Sequence, residues 1–174
     1  MNKVSVGFMI CYCSVFFTSC TPSPEKYFDV AVLNSNMLVG FANRSLSREM
    51  EMPTARMNTD GKTTAMSRKA VIEDKIVFSK KVLSDIKGLP KSSDANEIIS
   101  SALKLYGFVI PAYEGDYLKL AEMYDNGAAA EEIRSFDDRL KDKYSGQFQV
   151  LFNDLISKGK LYAARHKIEV NWAE

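Results

Sequence analysis

The chain has 174 residues, which suits a single domain of ordinary size that can bury a hydrophobic core. Its 23 lysines and arginines almost balance its 22 aspartates and glutamates, so the formal net charge at pH 7 is +1. A near-neutral chain with interspersed charges lacks the electrostatic footprint of a protein that binds nucleic acid or an anionic bilayer surface, and we expect no nucleic-acid partner.

A short apolar segment at the start of the chain predicts a secretory leader. Lys3 provides a positive start, the run from Val4 to Phe17 is mainly apolar, and small residues precede Cys20. The run is shorter than the ~20 residues that a spanning helix needs, which argues against an uncleaved anchor helix. An ordinary signal peptide that is cut at another position remains an alternative.

The motif Phe17-Thr18-Ser19-Cys20 resembles the lipobox of bacterial lipoprotein signal peptides, with Phe17 where that family usually has Leu, Val or Ile. The resemblance implies cleavage between Ser19 and Cys20 and acylation of Cys20. Residues 1–19 would then be the signal peptide, and residues 20–24 would be the lipidated cysteine and its tether. Such a protein is fastened to a membrane of the bacterial cell envelope and faces the periplasm or the cell surface.

Residues 25–174 are predicted to form one helical domain, because apolar residues recur at helical spacing almost throughout. The first helix should begin at residues 24–25 and fade in the polar stretch 45–61, a long connection that could hold an extra helical turn or cross over. The second helix should run from about Lys62 to Lys87 and stop at Gly88.

The third predicted helix has a capping box, in which Asp94 caps the start and Glu97 reaches back from three positions later. Pro111 lies in the middle of its apolar stripe, and a proline there removes a backbone hydrogen bond. We therefore expect a kink or a short break near Val109. The pair Asn126-Gly127 should end this helix.

The fourth predicted helix is the longest, with apolar residues from Ile133 to Tyr162 at spacings of three, four or seven. Gly159 is expected to weaken its last turns. The tail from Lys167 to Trp172 is interpreted as a packed extension or a frayed end. Four amphipathic helices with short connections predict an all-α, antiparallel up-down four-helix bundle with a kinked third helix.

Few residues in the sequence suggest catalysis. A di-iron bundle needs Glu-x-x-His pairs. The single histidine, His166, has Ala163 and not a glutamate three positions before it. Cys11 and Cys13 would leave with the signal peptide and Cys20 would carry lipid, so the finished chain would have no thiol for a disulfide, a metal or a nucleophile. We expect no enzymatic activity, no cofactor and no metal site.

Three weaker groups of residues remain as candidates. Tyr113, Glu114 and Tyr117, with two further acids at positions 116 and 122, surround Pro111 and could line a ligand site or simply form a solvated face. The charged run 134–143 suits salt bridges along a helix face. Met50 and Met52 belong to a methionine-rich stretch that could form an adaptable contact surface, hold Cu(I), or pack over the end of the bundle.

These observations favour a membrane-anchored envelope lipoprotein with an interaction, structural or sensing role, whose partner is another envelope protein. The alternative is a carrier that holds a small hydrophobic ligand or a metal ion between the helices near Pro111. A filled core with exposed apolar residues would favour the first function, and a sizeable pocket between the helices would favour the second. An enzyme that uses only carboxylates and tyrosines is a third possibility.

Overall fold

The structure is a computed structural model that describes residues 22–52 and 55–172, so the predicted leader and Cys20 lie outside the described residues. The fold is mostly helical, as predicted, with one small two-stranded hairpin. The elements in chain order are α1 (Pro24–Ala31), a 3-10 helix (Leu33–Leu38), α2 (Arg44–Glu51), β1 (Ala55–Met57), β2 (Thr63–Ala65), α3 (Arg68–Gly88), α4 (Asn96–Ala112), a π-helical turn (Tyr113–Tyr117), α5 (Leu118–Asp125) and α6 (Ala130–His166).

The prediction of one long first helix was wrong, because the segment is divided into α1, the 3-10 helix and α2. Small polar side chains here bond to nearby backbone groups and compete with helical hydrogen bonds. Ser35 Oγ donates to the carbonyl of Val32 at 2.6 Å. Asn43 Oδ1 accepts from the backbone N–H of Ser45 at 2.7 Å and so caps the start of α2.

The polar connection holds α2, in keeping with the expected extra helical turn, and also the hairpin, which was not expected. Strands β1 and β2 pair antiparallel, with Ala55 opposite Ala65, and all of their residues are exposed. The predicted start of the second helix at Lys62 was therefore wrong. Helix α3 begins at Arg68, where Ser67 Oγ accepts from the backbone N–H of Ala70 at 3.1 Å.

The capping box predicted at Asp94 and Glu97 was also wrong. The residue before α4 is Ala95, and no side chain caps this helix. The carboxylate of Asp94 instead accepts a hydrogen bond from Arg165 Nη1 at 2.5 Å and contacts Nε2 of His166. Asp94 thus ties the start of α4 to the last turn of α6.

This contact predicts an acid-sensitive part of the stability. The hydrogen bond from Arg165, with a further contribution from His166, lowers the pKa of Asp94 below its ordinary value. A carboxyl whose pKa is lower in the folded state stabilises the fold above its unfolded pKa, and this contribution disappears as the pH falls through the folded pKa. Below about pH 4, the unfolding free energy of Asp94→Asn should therefore decrease less with falling pH than that of the unchanged protein.

Urea unfolding at a series of pH values from about 3 to 7, which brackets the ordinary pKa of an aspartate, would measure this effect. Asp29→Asn is a matched control, because Asp29 is exposed and no ion pair of residues 22–52 or 55–172 includes it. Equal pH dependence in Asp94→Asn and in the unchanged protein would contradict the assignment.

The chain stays helical through Pro111, so a break at Val109 does not occur. The irregularity follows the proline as the π-helical turn, after which α5 continues the helix. Gly127 then ends it as predicted, with a φ of 69° and with the N–H of Ala128 bonded to the carbonyl of Met123 at 3.0 Å.

Helix α6 is continuous to His166, so Gly159 does not interrupt it. This glycine is buried instead, at a point where a Cβ atom would lie 2.7 Å from Val32 Cγ1. Helix α4 packs against α6 and α3, and α1 contacts all three of these helices. The tail after α6 packs onto the core as an extension, with the Trp172 ring edge-on to Phe28 at 5.9 Å between centroids.

Candidate functional site

The residues predicted to line a site near Pro111 are part of a filled aromatic core. Tyr113 and Tyr117 are buried, and their rings lie 5.3 and 5.5 Å from the ring of Phe41. Burial raises the pKa of both tyrosines far above the ordinary value. Packing in the core accounts for the burial of both rings, while the Tyr117 hydroxyl is buried without a hydrogen-bond partner among the described residues.

The acidic residues of the same segment point to separate partners on the surface. Glu114 pairs with Lys80 of α3 at 2.5 Å. Asp116 accepts from Lys143 Nζ at 2.8 Å and from the Tyr144 hydroxyl at 2.7 Å. The bond to Asp116 raises the pKa of Lys143 to about 12.

Glu122 also has a partner of its own, because it pairs with Lys69 of α3 at 3.1 Å. The carboxylates around Pro111 therefore act as links between helices, and the structure does not bring them together in one cavity. The bond from Lys143 also lowers the pKa of Asp116, as expected of a carboxylate in an ion pair.

The two methionines predicted as candidate ligands lie in different environments. Met50 is 0% exposed and packs in the core, whereas Met52 is 74% exposed. Their sulfurs therefore do not form a joint site. Among the described residues, no cluster of three or more His, Cys, Asp and Glu side chains could hold a metal ion.

The charged run on α6 contains a feature that the sequence did not indicate. Asp137 is only 7% exposed, and its carboxylate accepts from Ser47 Oγ at 2.6 Å. Lys141 Nζ lies 2.9 Å from the same carboxylate oxygen, Oδ2. A buried carboxylate needs such partners, because leaving a charged group unpaired in the interior is costly. This contact fixes α2 against the first turns of α6.

A cleft of about 450 Å³ lies between α2 and α6, and the residues of this contact form part of its lining. We call it the arginine cleft, because three arginines line it: Arg44, Arg48 and Arg134. Tyr124 and Glu51 also contribute to its lining. Opposite charges therefore meet in the cleft.

The arginines differ in their partners. Arg134 pairs with Glu131 at 3.3 Å in an exposed contact, which is weak. Arg44 and Arg48 take part in no ion pair or side-chain hydrogen bond within the described part of the chain. Two guanidinium groups four residues apart on one helix face are well placed to bind a carboxylate or another anion.

The sequence did not predict the arginine cleft, because residues 45–61 have the polar composition of a connection. The spacing of Arg44 and Arg48 was visible in the sequence, but its meaning depends on α2 being a helix that packs on α6. Ser47 and Asp137, which join these helices, are 90 positions apart. No local pattern predicts such a contact.

Comparison with known proteins assigns no function to the chain. The chain matches no protein-family model, no curated protein and no solved structure. Over the ranges that the structure describes, no helix combines the length and apolar character needed to cross a bilayer.

Proposed function

We propose that the protein is an acylated envelope lipoprotein whose helical domain binds another protein, and that it is not an enzyme. In this proposal Cys20 carries the lipid and the domain is an antiparallel up-down bundle of α1, α3, the continuous helix from α4 to α5, and α6. Short connections between the last three support the antiparallel order.

The observation that carries the binding role is the pair of guanidinium groups of Arg44 and Arg48 in the arginine cleft, which form no ion pair with a described carboxylate. Of the acids that also line the cleft, Asp137 and Asp138 are already paired with Lys141. An acidic segment of a partner would satisfy them, because an arginine binds a carboxylate through two parallel hydrogen bonds. The filled aromatic core around Phe41 favours this role over a carrier that holds a ligand near Pro111.

The double variant Arg44→Glu/Arg48→Glu should no longer bind the partner protein. We expect its cross-linking yield to fall more than about tenfold, because two charge-assisted hydrogen-bonding groups become repulsive to an acidic segment. The measurement uses the intact chain in its membrane, with a photo-reactive amino acid in place of Glu51 in the cleft. Mass spectrometry of the adduct identifies the partner segment.

Two controls make this result specific. Lys62→Glu/Lys104→Glu changes the net charge by the same amount as the arginine variant, but both lysines lie outside the cleft. This variant should leave the adduct unchanged. A photo-reactive residue in place of Val77, which is exposed on α3, should not form it. An adduct that survives the arginine reversal, or a captured segment without acidic residues, would refute the proposed role of the cleft.

A further inference from the structure

The start of α1 must lie close to the membrane if Cys20 is acylated, so the following inference rests on the proposed function. Helix α1 begins at Pro24, four residues after Cys20. An extended chain spans at most about 3.3–3.6 Å per residue, so four residues reach about 15 Å. The end of the domain around Pro24 is therefore held against the bilayer.

The connection between α3 and α4 flanks this end. Pro22 and Lys26 line one groove together with Leu89 and Pro90. The Tyr27 hydroxyl donates a hydrogen bond to the carbonyl of Pro90 at 3.1 Å, which fixes α1 to the connection. The tether and the connection thus emerge on the same side of the molecule.

Three lysines give this side a positive charge. Lys26, Lys87 and Lys91 are exposed, and across residues 22–52 and 55–172 none of them forms an ion pair. The nearby Asp85 is already paired with Lys81 at 2.5 Å. Two adjoining grooves at this end are lined by four lysines, Lys26, Lys81, Lys87 and Lys91, and by one acid, Asp85. The exposed acids of α1, Glu25 and Asp29, line neither groove. The nearly neutral total charge of the chain therefore conceals an excess of lysines along these grooves.

An apolar groove lies between these lysines. It has a volume of about 620 Å³, and Leu89, Pro90 and Leu103 contribute to its lining, with Lys87 and Lys91 beside them. Lysine stems can lie along apolar surface while their ammonium groups reach outward to the phosphates of a bilayer. An apolar groove bordered by lysines suits the interfacial region of a membrane.

We infer that the surface formed by Lys26, Lys87, Leu89, Pro90 and Lys91 faces and contacts an anionic phospholipid bilayer. We call it the basal surface. The short tether holds it there, and lysines near an anionic leaflet are each attracted to it. A second copy of the chain is a poorer occupant, because a symmetric contact would bring like charges together.

Depth-dependent fluorescence quenching would test the orientation. The full chain, processed in its native membrane, is purified and placed in phosphatidylglycerol-containing vesicles that carry a lipid with a spin label near the headgroup. One fluorophore is attached through Ser93→Cys on the basal side, or through Thr59→Cys in the hairpin. Helix α3 separates these two positions by about 30 Å.

We expect severalfold stronger quenching at position 93 than at position 59. Lys87→Glu/Lys91→Glu should reduce the quenching at position 93 severalfold, whereas Lys62→Glu/Lys104→Glu should not. Equal quenching at both positions, quenching at position 93 that Lys87→Glu/Lys91→Glu leaves unchanged, or dimers that cover position 93 would overturn the inference.

The mass of the same preparation reports the state of Cys20 independently. An acylated Cys20 together with equal quenching at both positions would refute the basal surface but not the anchor. A bare Cys20 would refute the anchor, and the basal surface would be refuted with it, because the short tether is what holds that surface at the bilayer.

Discussion

Replacing Phe41 with alanine should lower the free energy of unfolding by about 3–5 kcal/mol, which is a large part of the stability of a domain of this size. Phe41 is 1% exposed. Its ring lies 5.0–6.2 Å from five others, those of Phe108, Tyr113, Tyr117, Tyr144 and Phe148. Removing it leaves a cavity bounded by packed helical segments, and such rigid surroundings relax only partly.

Urea denaturation would measure the loss, and two variants calibrate it. Phe41→Leu keeps most of the buried volume and should cost clearly less than alanine. Phe152→Ala removes a half-buried ring that contacts Phe148 at 5.5 Å, and its effect should also be smaller. If Phe41→Ala costs no more than Phe152→Ala, the ring of Phe41 is not the centre of the core.

Helical periodicity was sufficient to predict the long helices. The inward residues Ile72, Leu105 and Leu140 are buried as expected, because each belongs to a stripe long enough to define a helix face. The part of the described chain that precedes the hairpin was predicted poorly. There, short polar side chains such as those of Ser35 and Asn43 bond locally to the backbone, and these bonds decide where the helices begin and end.

Asp94 shows why a local signal can mislead. Its spacing from Glu97 fits a capping box, and a sequence reveals only partners of this local kind. Its partners in the fold are Arg165 and His166, which follow it by 71 and 72 positions. Both kinds of hydrogen bond are charge-assisted, but the partner on α6 adds the attraction between opposite charges that a neutral backbone N–H does not supply.

The candidate site was predictable only in part. Tyr113 and Tyr117 lay on the apolar stripe of the third predicted helix, so their burial followed from the same pattern that suggested a ligand site. The arginine cleft requires α2 to pack on α6 through Ser47 and Asp137. Without that tertiary contact, Arg44 and Arg48 are two charges in a polar stretch.

Gly159→Ala should destabilise the domain by about 1–3 kcal/mol, although alanine is the better helix former. The new Cβ would lie 2.7 Å from Cγ1 and 3.3 Å from Cγ2 of Val32, and the first of these distances is closer than carbon atoms can approach. Val32 is 1% exposed and β-branched, so it has little freedom to rotate away. The segment after α1 would have to move off α6, and thermal or urea unfolding would record the loss.

The same helix supplies the opposite case. Gly146 also lies inside α6, but a Cβ added there would meet no atom within 4 Å apart from its chain neighbours and the backbone of its own helix. Gly146→Ala should therefore raise the unfolding free energy by about 0.5–1 kcal/mol, since only the helix propensity changes. Val32→Ala combined with Gly159→Ala should recover part of the loss, because it removes both clashing methyl groups. Stabilisation by both single glycine replacements would show that α6 and the segment after α1 are not in close contact, whereas opposite signs would establish that Gly159 is required by that contact.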